Sequence, residues 1–190
     1  MQKYLLLPLF LLLAVGVSRG QLKNRDDINK QIKELKAEKS IFFEYEPARS
    51  SEAKIIAAGK EFSEAERKRA GVESMNFGLA FFFPCCAFKV APQEILFTFR
   101  VESKKPRFAA SHVWTATVGS ETIDFGEARY AARAKDNMEY LNFKISRANL
   151  EKIARGTDVK FKLGETELNF TPEHLQLFAN FLKVSDPASF

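Results

Sequence analysis

The sequence predicts an α+β fold: an antiparallel sheet of about six to eight strands, sandwich-like in one arrangement, with helices packed on one side and an N-terminal helical arm. Three observations carry this. Apolar residues alternate with polar ones in several short runs after residue 72. The helix signals are segregated from that run of strands. The chain holds 19 Phe, a composition that favours strands and a well-packed interior.

Residues 1–20, MQKYLLLPLFLLLAVGVSRG, read as a secretory signal peptide. Lys3 is the basic n-region, Tyr4 to Val17 the apolar stretch, and Ser18 and Gly20 the small residues before a cut at Gln21. The stretch is short for a spanning helix, which needs about 20 apolar residues. The expected location is periplasmic or extracellular, with no transmembrane helix in the mature chain.

Residues 21–40 form the arm. Ile28, Ile32 and Leu35 make a narrow apolar stripe on a polar helix that Asp26 or Asp27 can cap. Residues 41–190 are read as one α+β domain. IFFEY, 41–45, is a short strand, and Lys54 to Ala58 another. Ser63 and Glu66 have capping-box spacing and Gly71 ends that helix, whose charged surface predicts exposure. Ile95, Phe97, Phe99 and Val101 mark one buried face of a strand. Residues 112–131 read as a hairpin turning at Gly119-Ser120, and Leu141, Phe143 and Ile145 as one face of the next strand.

The last stretch gives strand, helix, hairpin, helix. Ser146 caps a helix carrying Leu150 and Ile153 that stops at Gly156. Val159, Phe161 and Leu163 alternate with lysines, Gly164-Glu165 turns the chain, and Leu168 and Phe170 return it. Thr171-Pro172-Glu173 then starts a helix with Leu175, Phe178, Phe181 and Leu182 on one face. The run KISRANLEKIARGTDVKFKLGETELNFTPEHLQLFANFL resembles the C-terminal part of exported bacterial proteins of unknown function. The resemblance implies a bacterial source and an envelope setting, and it carries no catalytic residue.

GLAFFFPCCAF, 78–88, is the most unusual stretch. Its uncharged window is too short to span a bilayer, and Pro84 interrupts it. Phe81, Phe82 and Phe83 in one strand point alternately to both faces, which predicts cover on both sides. Cys85 and Cys86 are the only cysteines. Three states are open to them: two buried thiols, a vicinal disulfide, or a link between chains. The burial tendency of free cysteine favours the first. Phe81, Phe82, Phe83, Cys85, Cys86 and Phe88 are therefore the candidate binding residues.

Arg129, Arg133 and Lys135 form a small basic cluster and are the candidate surface contacts. His112 and His174 have no local nucleophile or ligand set, so neither a catalytic residue nor a metal site is assigned. A hydrolase using His112 with a carboxylate is the weakest reading. No cofactor is expected. The net charge of +5 includes Lys3 and Arg19 of the leader, and acids are interleaved with bases throughout, which argues against nucleic acid as partner. The expected function is a non-catalytic binding module for a protein or envelope component. The alternative is a carrier of a small apolar ligand or lipid in a Phe-rich pocket.

Overall fold

The computed structural model describes residues 22–47 and 50–189. The predicted signal peptide lies outside them. In chain order the elements are β1 (Lys23–Asn24), α1 (Arg25–Glu34), β2 (Ile41–Tyr45), β3 (Glu52–Ala58), α2 (Glu64–Ala70), β4 (Ser74–Pro84), β5 (Ala87–Phe88), β6 (Glu94–Glu102), β7 (Val113–Val118), β8 (Glu121–Glu127), β9 (Arg129–Arg133), β10 (Met138–Ser146), α3 (Arg147–Arg155), β11 (Val159–Leu163), β12 (Thr166–Phe170) and α4 (Pro172–Val184). A short 3-10 turn, Ala134–Asp136, joins β9 to β10. The class is α+β, as the alternation predicts.

Three antiparallel sheets form. The largest has the order β2-β3-β4-β6-β10-β9, the second β12-β11-β7-β8, and β1 pairs with β5. Residues 121–133 run through both larger sheets: β8 pairs with β7, and β9 pairs with β10. The predicted hairpin over 112–131 is thus a hairpin only as far as Glu127. At buried Ala128 the chain crosses to the other sheet.

The core lies between the six-stranded sheet on one side and the four-stranded sheet with α4 on the other. β4 buries Met75, Phe77, Leu79, Phe81 and Phe83 on its inner face, and β6 buries Ile95, Phe97, Phe99 and Val101. Phe99 stacks on Phe161 of the facing sheet at 5.5 Å between ring centroids, and Trp114 lies 4.6 Å from Phe97. Phe178 of α4 closes over Phe77 at 5.1 Å and over Phe97 at 5.9 Å. Tilted and edge-on rings dominate, the geometry that aromatic quadrupoles prefer. Trp114 is fully enclosed, and its indole N–H has no acceptor among the described residues.

Turn and cap chemistry fixes the connections. Ser63 and Glu66 form the expected capping box on α2, and Gly71 ends it with φ 70°, a left-handed residue that glycine adopts without a Cβ clash. Gly119 is the positive-φ residue of the β7–β8 turn, as a type II′ turn requires at its first central position. α4 begins with Thr171 as cap and Pro172 in its first turn. Two expectations fail. α1 is capped by Asn24, with Asp27 answering from the third helical position, because only Asn24 has the extended backbone that a cap requires. α2 is not wholly exposed: Glu66 is buried, and its carboxylate accepts from the Asn169 amide at 3.1 Å as well as from Ser63.

The N-terminal segment is integrated with the rest of the fold. Ile28 and Ile32 are buried in the common core. The Lys23 ammonium, also buried, donates to the carbonyl oxygens of Lys183 at 3.3 Å and Asp186 at 3.0 Å, and to Gln31. Carbonyls at the end of a helix have no partners of their own and carry its negative dipole, so a cation there is favourable.

Candidate functional site: the outer face of the six-stranded sheet

Strand alternation sorts the FFFPCC stretch. Phe81 and Phe83 point inward, while Phe82, on the opposite face of β4, is 47% exposed. The rings of Phe81, Phe83 and Phe88 pack on one another with centroids 4.9–5.2 Å apart, filling the space that a pocket between them would need. The expectation that this strand is covered on both faces is therefore corrected. Among the described residues no helix or second sheet lies over the outer side, and Phe82 is half-exposed there.

Cys85 and Cys86 sit in the turn between β4 and β5, joined as a vicinal disulfide across a cis peptide bond. Cys85 is exposed and Cys86 half-buried. The favoured expectation of two buried thiols is not what the structure shows: Pro84 ends the strand at the rim of the sheet, where the turn faces solvent. The Cys85 amide donates to the Ser51 carbonyl at 3.1 Å, tying the turn to the start of β3.

The register shows what surrounds Phe82. Reading across the sheet, Phe42 of β2 is opposite Ile56 of β3, Ile56 opposite Ala80 of β4, Ala80 opposite Leu96 of β6, and Leu96 opposite Lys144 of β10. Four apolar side chains thus form a row on the outer face, with Phe82 beside it. Ion pairs flank the row: Lys54 with Glu44 at 2.9 Å and Lys144 with Glu94 at 2.8 Å. A hollow of about 360 Å³ lies between Phe82, Leu96 and Pro92.

A second hollow of about 420 Å³ adjoins it over Gly78. Its rim carries Asn76, Arg100 and Tyr140, which face one another across β4, β6 and β10. The basic cluster reaches this same face from its edge. Arg129 is opposite Asn142 and Arg133 opposite Met138. Arg133 is ion-paired with Asp136, and its guanidinium lies over the Tyr140 ring at 5.8 Å from the centroid. Lys135 is exposed in the following turn. So the structure brings Phe82, Arg129 and Arg133 to one surface, sends Phe81, Phe83 and Phe88 into the core, and leaves Cys85 and Cys86 at the rim. Sequence reasoning missed Gly78, Arg100 and Tyr140. The signal was present as a glycine among even-numbered, weakly apolar positions of β4.

The histidines are held by structural contacts. His112 lies between the Phe108 carbonyl and the Glu127 carboxylate, each at 3.2 Å, with its ring stacked on Tyr130. His174 accepts from the Thr171 amide and is packed against Phe62 and Phe77. Burial holds its pKa below the usual histidine value, so the neutral form is favoured, the direction expected at a helix start. Among the described residues, no group of three or more His, Cys, Asp or Glu is placed to hold a metal ion, and no helix is long and apolar enough to cross a membrane.

Comparison with known proteins adds no relative: no family model, no curated protein and no solved structure matches the chain.

Proposed function

We propose that this chain is an exported binding module, and that it uses the outer face of its six-stranded sheet to hold a protein partner in the cell envelope. The observation that carries this reading is the row Phe42–Ile56–Ala80–Leu96 with half-exposed Phe82 beside it, on a sheet face that no element among the described residues covers. A contiguous apolar surface rimmed by charges is the form a docking site takes. The fitting partner presents an apolar ridge with carboxylates at one side, which would meet Arg129 and Lys135. Export rests on residues 1–20 and on the resemblance of the C-terminal stretch to exported bacterial proteins.

The test places a photo-crosslinking phenylalanine analogue at position 82 in cells, with a control at Lys160 on the four-stranded sheet. The expected result is a discrete adduct from position 82, absent from position 160 and lost when Leu96→Glu is added. The same adducts from both positions, or persistence in the Leu96→Glu background, would sink the proposal. N-terminal sequencing of the mature protein, starting at Gln21, checks the export half.

A further inference from the structure

Gly78 occupies the middle of a central strand, where glycine is unfavourable by about 0.5–1 kcal/mol and leaves a gap in the sheet surface. Nothing in the backbone requires it. Its φ is not positive, and a Cβ built there would meet a single neighbour, the Ala57 carbonyl oxygen, at an ordinary 3.6 Å. Its lateral neighbours on the outer face, Ala58 and Thr98, are also small. The space above Gly78 is thus maintained by side-chain choice, and a strand glycine of this kind marks a place where something approaches the backbone closely.

The hollow has a chemical direction. It spans four strands, roughly 14 Å at the usual strand spacing. One end is apolar, with Ile56 and Ala80; the other is the row Asn76, Arg100 and Tyr140. Arg100 makes no ion pair among the described residues. Glu102, the acid nearest along its own strand, is not joined to it, while Lys54 and Lys144 on the same face are both neutralised. A guanidinium left open beside an apolar trough fits an anion attached to an apolar chain, since its planar fork matches a carboxylate. The volume of about 420 Å³ falls within the range of small-molecule sites.

We infer that the hollow over Gly78 binds a medium-chain amphipathic carboxylate, its apolar chain lying over Gly78 and Ala80 and its carboxylate on Arg100. This site adjoins the proposed partner contact and shares Ile56 and Ala80 with it, whereas Phe82 lies outside the hollow and distinguishes the two in the test. The experiment is isothermal titration calorimetry at neutral pH with decanoate, decylammonium and decanol, on the wild-type protein and on Arg100→Gln, Gly78→Val and Phe82→Glu. Decanoate is expected to bind one molecule per chain, at least about tenfold more tightly than the other two probes. Arg100→Gln should erase that preference. Gly78→Val should abolish uptake while keeping or raising thermal stability, because valine suits a strand and its Cβ meets only an ordinary contact there. Phe82→Glu should leave decanoate binding intact and disturb only the partner contact. No decanoate uptake by the wild type, equal uptake by Gly78→Val, or equal affinity for decylammonium would each overturn the inference.

Discussion

Lys23 and Arg147, far apart in sequence, hold the same helix end. Lys23 reaches the Lys183 and Asp186 carbonyl oxygens, while the Arg147 guanidinium donates to the Leu182 carbonyl at 3.0 Å, to the Ser185 hydroxyl at 3.1 Å and to the Asp186 carboxylate at 3.3 Å. Two cations on one helix C-terminus offset its dipole and bring further donors to the carbonyls of its last turn. Arg147→Ala is expected to lose about 2–4 kcal/mol in urea denaturation, because charge-assisted bonds to partly buried groups are lost together.

Lys23 also gives a pH signature. Desolvation is the main reason its pKa falls to about 8 from 10.5, against the opposing pull of Asp186 and Asp27. Between those two pH values the unfolded chain holds a proton that the folded chain has released, so stability rises with pH across that window and is level below it. The measurement is urea stability of wild type and Lys23→Met from pH 7 to pH 10.5. The difference should move in favour of the wild type above about pH 8. A difference independent of pH would mean that the ammonium is solvated.

His174 should act in the acid range. Its folded pKa is lowered by burial, in spite of the hydrogen bond to the Lys60 backbone and the nearby carboxylates of Glu66 and Glu173. As pH falls through the unfolded value of 6.5, the unfolded state takes up a proton before the folded one does, and stability is lost. His174→Gln removes that titration. Thermal melts from pH 7.5 to pH 5 should show the wild type losing ground to the variant as the solution becomes more acidic.

Glu139 is a buried carboxylate whose oxygens accept from four donors: the Arg107 and Phe108 amides, the Ser103 hydroxyl and the Tyr130 hydroxyl, at 2.8–3.2 Å. It fixes the loop after β6 to β10. Glu139→Ala strands these donors and should cost about 3 kcal/mol or more, whereas Tyr130→Phe should cost about 1 kcal/mol. Burial first, and the bond to Glu139 second, push the Tyr130 pKa up to about 12. An ultraviolet titration of Glu139→Gln should show this tyrosine ionising at lower pH than in the wild type.

Phe82 and Phe83 test the strand register directly. Phe83→Ala empties a core position that is 2% exposed and should cost about 3–5 kcal/mol. Phe82→Ala, on the open face, should stay within about 1 kcal/mol. Chemical denaturation of the pair decides it, and equal losses would mean that the outer face is covered.

The readable parts of the sequence were those governed by local chemistry. The Ser63–Glu66 capping box, the IFFEY strand and the Thr171-Pro172 helix start all fall where short-range rules place them. The outer face was harder to read. Three consecutive phenylalanines carry no alternation, so the sequence could not say that Phe82 lacks cover while its neighbours are enclosed. The crossing at Ala128 was hidden because residues 121–133 form one extended run, and only their partners change. Arg100 and Tyr140 become a pair through register across two strands, and Lys23 is defined by a helix end about 160 residues away.

α4 comes last among the described elements, and its Phe178 closes over Phe77 and Phe97 at the middle of the large sheet. A ribosome-bound chain ending before Pro172 therefore has its sheet strands but no lid for their aromatic face, and no helix end for Lys23 and Arg147 to grip. Folding of this unit waits on α4: until Pro172–Val184 exist, the strands before them have no complete native state, and they stay open to whatever handles unfolded polypeptides.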